Sequence, residues 1–191
     1  MKTDKPTPSG GTESPGIADP QSAIRLPQSR FVRLAAYRLL LTVAAAVFFL
    51  DRLTKAWIVA RLPFETYGEA NGAIPVSRGF FYLVHVGNTG AAWSLLTGRS
   101  VLLALLAALT LLAIVVWRRA LGLRERMPQV CFGLLCGGIV GNLVDRLLYH
   151  HVIDFIDLHF GSYVYPTFNI ADSGICVGVI LYILHSLRTP Q

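Results

Sequence analysis

Four aspartates stand beside long apolar runs in the last third of the chain. A carboxylate is costly within or beside a membrane span unless it is paired or functional, so each of them is a candidate site residue. Neighbouring asparagine and arginine side chains could polarise a carbonyl group or brace the carboxylates. The four are Asp145, Asp154, Asp157 and Asp172, and they occur in the blocks GNLVDR (141–146), HVIDFID (151–157) and FNIADS (168–173).

The available side chains restrict the chemistry. The sequence offers no Ser–His or Cys–His pair, no HExxH motif and no glycine-rich phosphate loop. Two carboxyl groups held close together in a low dielectric cannot both ionise, so they share one proton. One can then act as the general base on a water molecule while the other donates a proton to a scissile carbonyl. The pattern therefore favours hydrolysis without a covalent enzyme intermediate.

Three cysteines, Cys131, Cys136 and Cys176, lie in apolar runs and match neither a zinc pattern nor a disulfide framework. We interpret them as small buried hydrophobic residues. The sequence accordingly predicts no metal site and no cofactor.

The composition indicates an integral membrane protein. Of 191 residues, 53% are hydrophobic and only 15% charged, and the mean hydropathy of +0.53 is high for a soluble domain. The formal charge is +6, but the basic residues bracket apolar segments and form no stripe with interleaved aromatic residues. This distribution predicts a membrane protein that does not bind nucleic acid.

The apolar segments predict an all-α membrane protein, a four-transmembrane-helix bundle preceded by a disordered tail at residues 1–30. The tail is rich in Pro, Gly, Ser and Thr and lacks periodicity. The domain then covers residues 31–191, and its predicted spans are 36–60, 92–117, 128–148 and 168–187.

The longer loops, 61–91 and 149–167, contain the other predicted elements. Residues 80–86 are aromatic and β-branched, which predicts a small β element with a hairpin turn at Asn71-Gly72. The aromatic residues at positions 80–82 could anchor this element in the membrane interface or contact a substrate. Residues 149–167 are amphipathic and too short to cross, which predicts an interfacial helical segment.

Two spacings predict contacts within the bundle. Asp51 and Lys55 are four residues apart, so they can pair on one helix face. Gly133, Gly137 and Gly141 recur at four-residue intervals, a face that lets a neighbouring helix approach closely.

The basic residues predict the orientation. Eleven flank the N-terminus, the loop between the second and third spans, and the C-terminus, whereas six lie on the opposite side. Basic residues favour the cytoplasmic side, so both termini should be cytoplasmic and both longer loops outside. This arrangement brings the unusual polar residues of all four spans to the outer boundary of the membrane, which predicts an active site there.

The aspartates differ in their local partners. Asp145 precedes Arg146 and shares a helix face with Asn142, which suits it to bracing. Asp157 is interpreted as a solvated interfacial charge. Asp154 and Asp172 have no adjacent cation, so we favour them as the proton-sharing pair, and Asp145 stays the main rival of Asp154.

Five blocks in order resemble the prolipoprotein signal peptidase (signal peptidase II) family over residues 39–187. They are DRLTK (51–55), NTGAAWS (88–94), GGIVGNLVDR (137–146), VIDFI (152–156) and FNIADS (168–173). The resemblance implies a four-helix aspartyl endopeptidase, a monomer in the bacterial inner membrane. It implies that the protein removes the signal peptide from diacylglyceryl-modified prolipoproteins by cutting before the lipidated cysteine at the periplasmic face. The N-terminal extension is longer than the family requires.

The resemblance also assigns roles to residues. It implies that Asp154 and Asp172 form the catalytic pair, in contact with the lipidated precursor and surrounded by membrane lipids. It implies a supporting and substrate-binding shell formed by Asp51, Lys55, Asn88, Asn142, Asp145, Arg146 and Asn169.

Three alternatives stay open from the sequence. A proton-coupled membrane transporter could use aspartates as a relay, although it predicts acidic residues spread through the membrane depth. A metal hydrolase could use Asp154, Asp157, His159 and His150 or His151 as ligands, although no established spacing is matched. A noncatalytic interaction protein would tolerate asparagine in place of either favoured aspartate.

Overall fold

Four helices carry a four-stranded antiparallel sheet in the computed structural model, which describes residues 35–91, 93 and 95–188. The predicted combination of helices with a small β element is confirmed. The predicted tail at residues 1–30 lies outside the described residues. The elements are α1 Arg38–Arg61, β1 Ile74–Ser77, β2 Phe81–Asn88, α2 Ser100–Val116, α3 Arg126–Tyr149, β3 Val152–Phe160, β4 Tyr163–Phe168 and α4 Ile170–Arg188.

Helix α3 lies between α1 and α4 because glycines on two of its faces let both neighbours approach. The predicted glycine face is confirmed: Gly133 and Gly137 lie against the backbone of α1, and Gly141 lies against the Asp51 carboxylate. On the other face, Gly138 lies against the carbonyl of Ala171 at the start of α4. Helix α2 packs against α3. The close contacts hold the polar residues of α1, α3 and α4 at one depth.

Replacing Gly137 by alanine is expected to lower the free energy of unfolding by about 1–3 kcal/mol, as overpacking does elsewhere. A Cβ at this position would lie 2.5 Å from the carbonyl oxygen of Ala44, and this backbone atom moves only if α1 shifts. A thermal unfolding scan in detergent measures the change. The control Ala108→Leu adds volume on an exposed face of α2 and should leave the midpoint unaltered. An unchanged midpoint for Gly137→Ala would contradict the close α1–α3 packing.

Among the described residues, two helices, α3 and α4, are long and apolar enough to cross a membrane. Helix α2 is apolar but has only 17 residues. Helix α1 has 24 residues but carries Asp51, Arg52 and Lys55 in its second half. The predicted count of four spans therefore stays a prediction.

The interfacial helix predicted for residues 149–167 is wrong, because this segment forms the β3–β4 hairpin. Strand β3 pairs with β2 along most of its length, and Gly161 adopts a left-handed φ of +64° at the turn. The segment contains many β-branched and aromatic residues, which suit a half-buried sheet. Its mixture of polar and apolar residues is also compatible with an amphipathic helix, and the pairing with β2 decides for the strand.

The strand predicted around residues 80–86 is confirmed as β2, but the predicted role of Asn71-Gly72 is wrong. These residues end a short 3₁₀ helix before β1. The chain between β1 and β2 turns instead at Gly79, where φ is +78°.

Helix α2 begins at Ser100, so the predicted start near residue 92 is also wrong. The N–H of Ala91 donates to the carbonyl of Leu95 at 2.7 Å. Trp93 and Leu96 both have positive φ angles, of 53° and 58°. The chain therefore forms a tight loop here, which we call the 88–98 loop, before the helix starts.

Candidate active site

Asn169 joins the two aspartates that we favoured as the catalytic pair. Its Nδ2 donates to Oδ1 of Asp154 at 2.8 Å. Its Oδ1 accepts the N–H of Asp172 at 2.9 Å, and its own N–H donates to Oδ2 of Asp172 at 3.2 Å. The last two bonds form a reciprocal cap at the start of α4. The junction between β4 and α4 thus brings both carboxyl groups to one amide side chain.

Two further asparagines occupy the remaining carboxyl oxygens. Asn88, at the end of β2, donates to Oδ2 of Asp154 at 3.0 Å. Asn142, on α3, donates to Oδ1 of Asp172 at 2.7 Å. Each of the four carboxyl oxygens therefore accepts a hydrogen bond from an asparagine, in keeping with the sequence expectation for these positions.

Lys55 lies beside this pair with its side chain fully buried. Its ammonium group lies 2.8 Å from Oδ2 of Asp51 and 2.7 Å from Oδ2 of Asp145, and it donates to Oδ1 of Asn142 at 3.0 Å. The predicted Asp51–Lys55 pair is confirmed. The ammonium group thus has one hydrogen bond and two ion pairs within 3.0 Å. Burial of such a charge is tolerated only because it is paired in this way.

Asp145 contacts cations, as expected for a bracing residue. It pairs with Lys55 and also with Arg52. Sequence reasoning did not include Arg52 in the site. An arginine in the second half of an apolar helix needs a counter-charge, and that signal could have identified it.

Two backbone groups also belong to the site, and no side-chain pattern in the sequence could have indicated them. Oδ2 of Asp145 accepts the N–H of Ile153 at 3.2 Å. Oδ1 of Asp51 accepts the N–H of Ala171 at 3.0 Å.

Arg146 ties the 88–98 loop to α3. Its Nη2 donates to the carbonyl oxygen of Gly90 at 3.0 Å. Within the described part of the chain, its buried Nε has no hydrogen-bond partner. Arg146 thus lies at the site, as predicted, and contacts the loop that also carries Asn88.

Asp157 is not the solvated charge that we expected. It is fully buried, and its Oδ2 lies 2.8 Å from Nε2 of His159 on the same strand. The correction follows from the hairpin: within a paired strand, Asp157 lies opposite Tyr82 of β2 and is covered by the sheet. In the described part of the chain, the side chain of Asp157 bonds to His159 and not to the asparagines around Asp154 and Asp172.

A cavity of about 970 Å³ opens beside the aspartates. Its walls are formed by the 88–98 loop, β4 and the first turns of α4, and Asn142, Arg146 and Asp172 line it. Asp154 is 1% exposed and lies behind this surface. The arrangement leaves open space next to the carboxyl group of Asp172.

Aromatic and sulfur side chains lie around this cavity. The rings of Trp93 and Tyr165 lie 6.3 Å apart across its walls. Phe80 and Tyr82 contact Phe160 and His159 of β3 instead, with ring centroids 5.5 and 4.9 Å apart. Cys131 is buried as predicted, but Cys176 is exposed and lines the cavity, so the uniform interpretation of the cysteines is wrong.

The pKa of Asp154 is raised to about 7, mainly by burial and in addition by the nearby charge of Asp172. Hydrogen bonds from Asn88 and Asn169 and the charge of Lys55 oppose this rise. A neutral carboxyl group beside an ionised one is what proton sharing requires. The raised pKa of Asp154 therefore favours its protonated form below about pH 7.

The ligand set of the metal-hydrolase alternative is not assembled. Among the described residues, no group of three or more His, Cys, Asp and Glu side chains could hold a metal ion. His151 contacts the ring of Phe64, while His159 pairs with Asp157.

Comparisons with known proteins show the family of the chain. Residues 43–188 match the family described as Signal peptidase (SPase) II. The lipoprotein signal peptidase of Geobacillus kaustophilus (strain HTA426) is 41% identical over 151 residues, which are 78% of this chain and 94% of that protein. The lipoprotein signal peptidase of Bacillus subtilis (strain 168) is 36% identical over 79% of this chain and 92% of that protein.

Two solved structures share the fold of this chain. A bacterial membrane enzyme determined by the in meso method at 2.3 Å resolution superposes with a TM-score of 0.70 and 32% identity. It covers 78% of this chain and 87% of its own. A second, at 1.9 Å, gives a TM-score of 0.68 and 31% identity over 79% of this chain and 94% of its own.

The fold, the paired aspartates and these matches define an aspartic peptidase of the membrane-enzyme class. The chain belongs to the signal peptidase II family. The transporter and the noncatalytic alternatives are therefore wrong, because the family consists of peptidases.

Proposed function

We propose that this protein cleaves the signal peptide from diacylglyceryl-modified prolipoproteins, cutting directly before the lipidated cysteine, with Asp154 and Asp172 as the catalytic pair. The observation that carries the proposal is the bonding of Asn169 to both carboxyl groups beside the cavity. The curated relatives are named lipoprotein signal peptidases, which supports the choice of substrate.

In the proposed reaction one proton stays with the pair throughout. The ionised carboxylate, assigned to Asp172 because it lines the cavity, takes a proton from water as the water oxygen attacks the scissile carbonyl carbon. Asp154 donates its proton to the carbonyl oxygen. The tetrahedral intermediate then collapses: the C–N bond breaks as the amine nitrogen of the cysteine takes the proton from Asp172. A hydroxyl group of the intermediate returns a proton to Asp154, so the pair is again singly protonated. Water and amide are consumed, and carboxylic acid and amine are formed.

We place the four helices across the bacterial inner membrane as four spans, with both termini cytoplasmic and the sheet and cavity at the periplasmic face. The orientation rests on the excess of basic residues at the opposite end. The placement of the helices in the membrane is supported by exposed leucine and valine side chains along α2 and α4. Membrane lipids would cover these faces, and the protein would act as a monomer. A diacylglyceryl group would hold the scissile bond at the height of the cavity.

The walls of the cavity suit an extended peptide. Strand β4 lies at the edge of the sheet, and the 88–98 loop faces it across the cavity. In this proposal these two segments, and not residues 80–82, hold the substrate and exclude water other than the nucleophile.

The test is cleavage of a synthetic lipidated precursor by the purified full chain. Mass spectrometry of the products should place the cut directly before the diacylglyceryl-cysteine, and a chelator should leave the rate unchanged. The matched substrate carries the same peptide with an unmodified cysteine, and it should be cut at least about tenfold more slowly because it lacks the interfacial anchor. Cleavage at another bond, or equal rates for both substrates, would overturn the proposed specificity.

The activity should fall as the pH rises above about 7, with a loss of about tenfold per pH unit. The pKa of Asp154 is raised to about 7, so its neutral form persists below that pH and the proton is lost above it. Both carboxyl groups are then ionised and none can donate. The profile of kcat between pH 5 and 9 measures this. A profile that stays flat to pH 9 would contradict proton donation by Asp154.

The same shift predicts a change in stability. An unfolded aspartate titrates near pH 4, so folding takes up a proton between about pH 4 and pH 7. Stability should therefore decrease as the pH rises through this window. The variant Asp154→Asn lacks the titrating group and should lose this part of the pH dependence in thermal scans.

A further inference from the structure

The backbone N–H of the residue before each proposed catalytic aspartate donates to a buried carboxylate. Asp145 accepts the N–H of Ile153, the residue before Asp154, at 3.2 Å. Asp51 accepts the N–H of Ala171, the residue before Asp172, at 3.0 Å. The two catalytic residues belong to different elements, a strand and a helix. A buried carboxylate therefore fixes the backbone next to each of these two aspartates.

One side chain joins these two contacts. The ammonium group of Lys55 lies 2.8 Å from Asp51 and 2.7 Å from Asp145. Its third bond, to Asn142, continues to the carboxyl group of Asp172. Lys55, Asp51 and Asp145 are all fully buried. Each of the three close contacts of this ammonium group thus leads to one of the two proposed catalytic aspartates.

We propose that Lys55 is a positioning residue that sets the relative placement of Asp154 and Asp172 through its bonds to Asp51, Asp145 and Asn142. The proposal rests on the proposed function of the two aspartates. A proton can be shared only while two carboxyl groups keep their separation to within about 0.5 Å. The tetrahedral ammonium group fixes the three partners in directions that a planar guanidinium group cannot reproduce. Lys55 itself contacts neither the substrate nor the reacting atoms.

The test separates the geometry of Lys55 from its charge. The double variant Asp51→Asn/Lys55→Met removes a positive and a negative charge together, while Asp145 keeps Arg52 as its partner. We expect folded protein whose kcat falls about 10²-fold with little change in KM, the effect typical of a displaced catalytic group. The alkaline limb of its kcat profile, where kcat falls with rising pH, should move to higher pH, because the charge of Lys55 opposes protonation of Asp154. The pair is also faced by Arg146 and Asp145 from α3, and neither is changed.

Lys55→Arg keeps the charge and alters the geometry. It should restore the position of the alkaline limb and leave kcat low. The control Gln129→Leu removes a buried amide that bonds to Leu40 and Ala36 at the far end of the bundle. It should lower the unfolding midpoint without affecting kcat or the pH profile.

Several results would overturn the proposal. One is a wild-type kcat in Lys55→Arg, which would show that Lys55 acts through its positive charge alone and not through its geometry. Another is an equal loss of kcat in Gln129→Leu at a similar unfolding midpoint. If Lys55→Arg does not accumulate as folded protein, the single variant Asp51→Asn replaces it in the test, because it breaks the ion pair between Lys55 and Asp51. A wild-type kcat in Asp51→Asn would also refute the positioning role of Lys55. Activity retained by Asp172→Asn would instead refute the proposed function itself.

Discussion

Replacing Asp154 or Asp172 by asparagine is expected to lower kcat by at least about 10³-fold, because each variant loses one partner of a general acid–base pair. The amide has nearly the shape of the carboxyl group and can keep hydrogen bonds at this position. It cannot take a proton from water or give one to a carbonyl oxygen at neutral pH. The substrate should still bind, so KM should change little. Cleavage of a lipidated precursor by purified protein, with folding checked by thermal unfolding, measures both parameters.

Asp157→Asn is the matched control for this experiment. Asp157 lies on the same strand as Asp154 and is equally buried, but its partner is His159. Its variant should lose stability and keep kcat. If Asp157→Asn were as inactive as Asp154→Asn, the loss would report damage to the sheet and not loss of a catalytic group. If Asp154→Asn or Asp172→Asn kept full activity, the assignment of the pair would be wrong.

Replacing Asn169 by leucine is expected to have the second largest effect, lowering kcat by about 10²-fold, as a misplacement of catalytic groups does. It should also lower the free energy of unfolding by about 1–3 kcal/mol, the range for a lost cap or an unsatisfied buried group. Leucine matches the size of asparagine but cannot donate to Asp154 or accept the N–H of Asp172. Kinetics and thermal unfolding of one preparation measure the two losses together.

The variant Asn169→Ser separates the two roles of this residue. Serine can still cap α4, but its shorter side chain does not reach Asp154 as the amide does. It should recover stability more than kcat. Equal recovery of both would show that Asn169 acts only as a helix cap.

The sequence is sufficient to predict most helices and the polar residues that gather at one end. Apolar runs ending in charged residues indicate α3 and α4, and their alternating direction brings Asn142 and Asp172 together. The four-residue spacings gave the Asp51–Lys55 pair and the glycine face of α3. These features depend on local periodicity, which a linear sequence contains.

Features that depend on contacts between distant segments were not predictable. The pairing of β3 with β2 decides the conformation of residues 152–160 and the burial of Asp157, and neither strand alone specifies its partner. The start of α2 was missed because the turn at Ala91 and Leu95 is made by backbone bonds. The roles of the N–H groups of Ile153 and Ala171 were also not predictable, because every residue type other than proline provides such a group.

The junction at Asn169 has a consequence for biosynthesis. Asp172 enters the chain with the last helix, and its carboxyl group is oriented by a cap that forms only when α4 begins. On the ribosome, a nascent polypeptide that stops before this point carries only one of the two acidic groups. Under the proposed function, a product that terminates in this region therefore lacks one member of the catalytic pair and should not hydrolyse peptides.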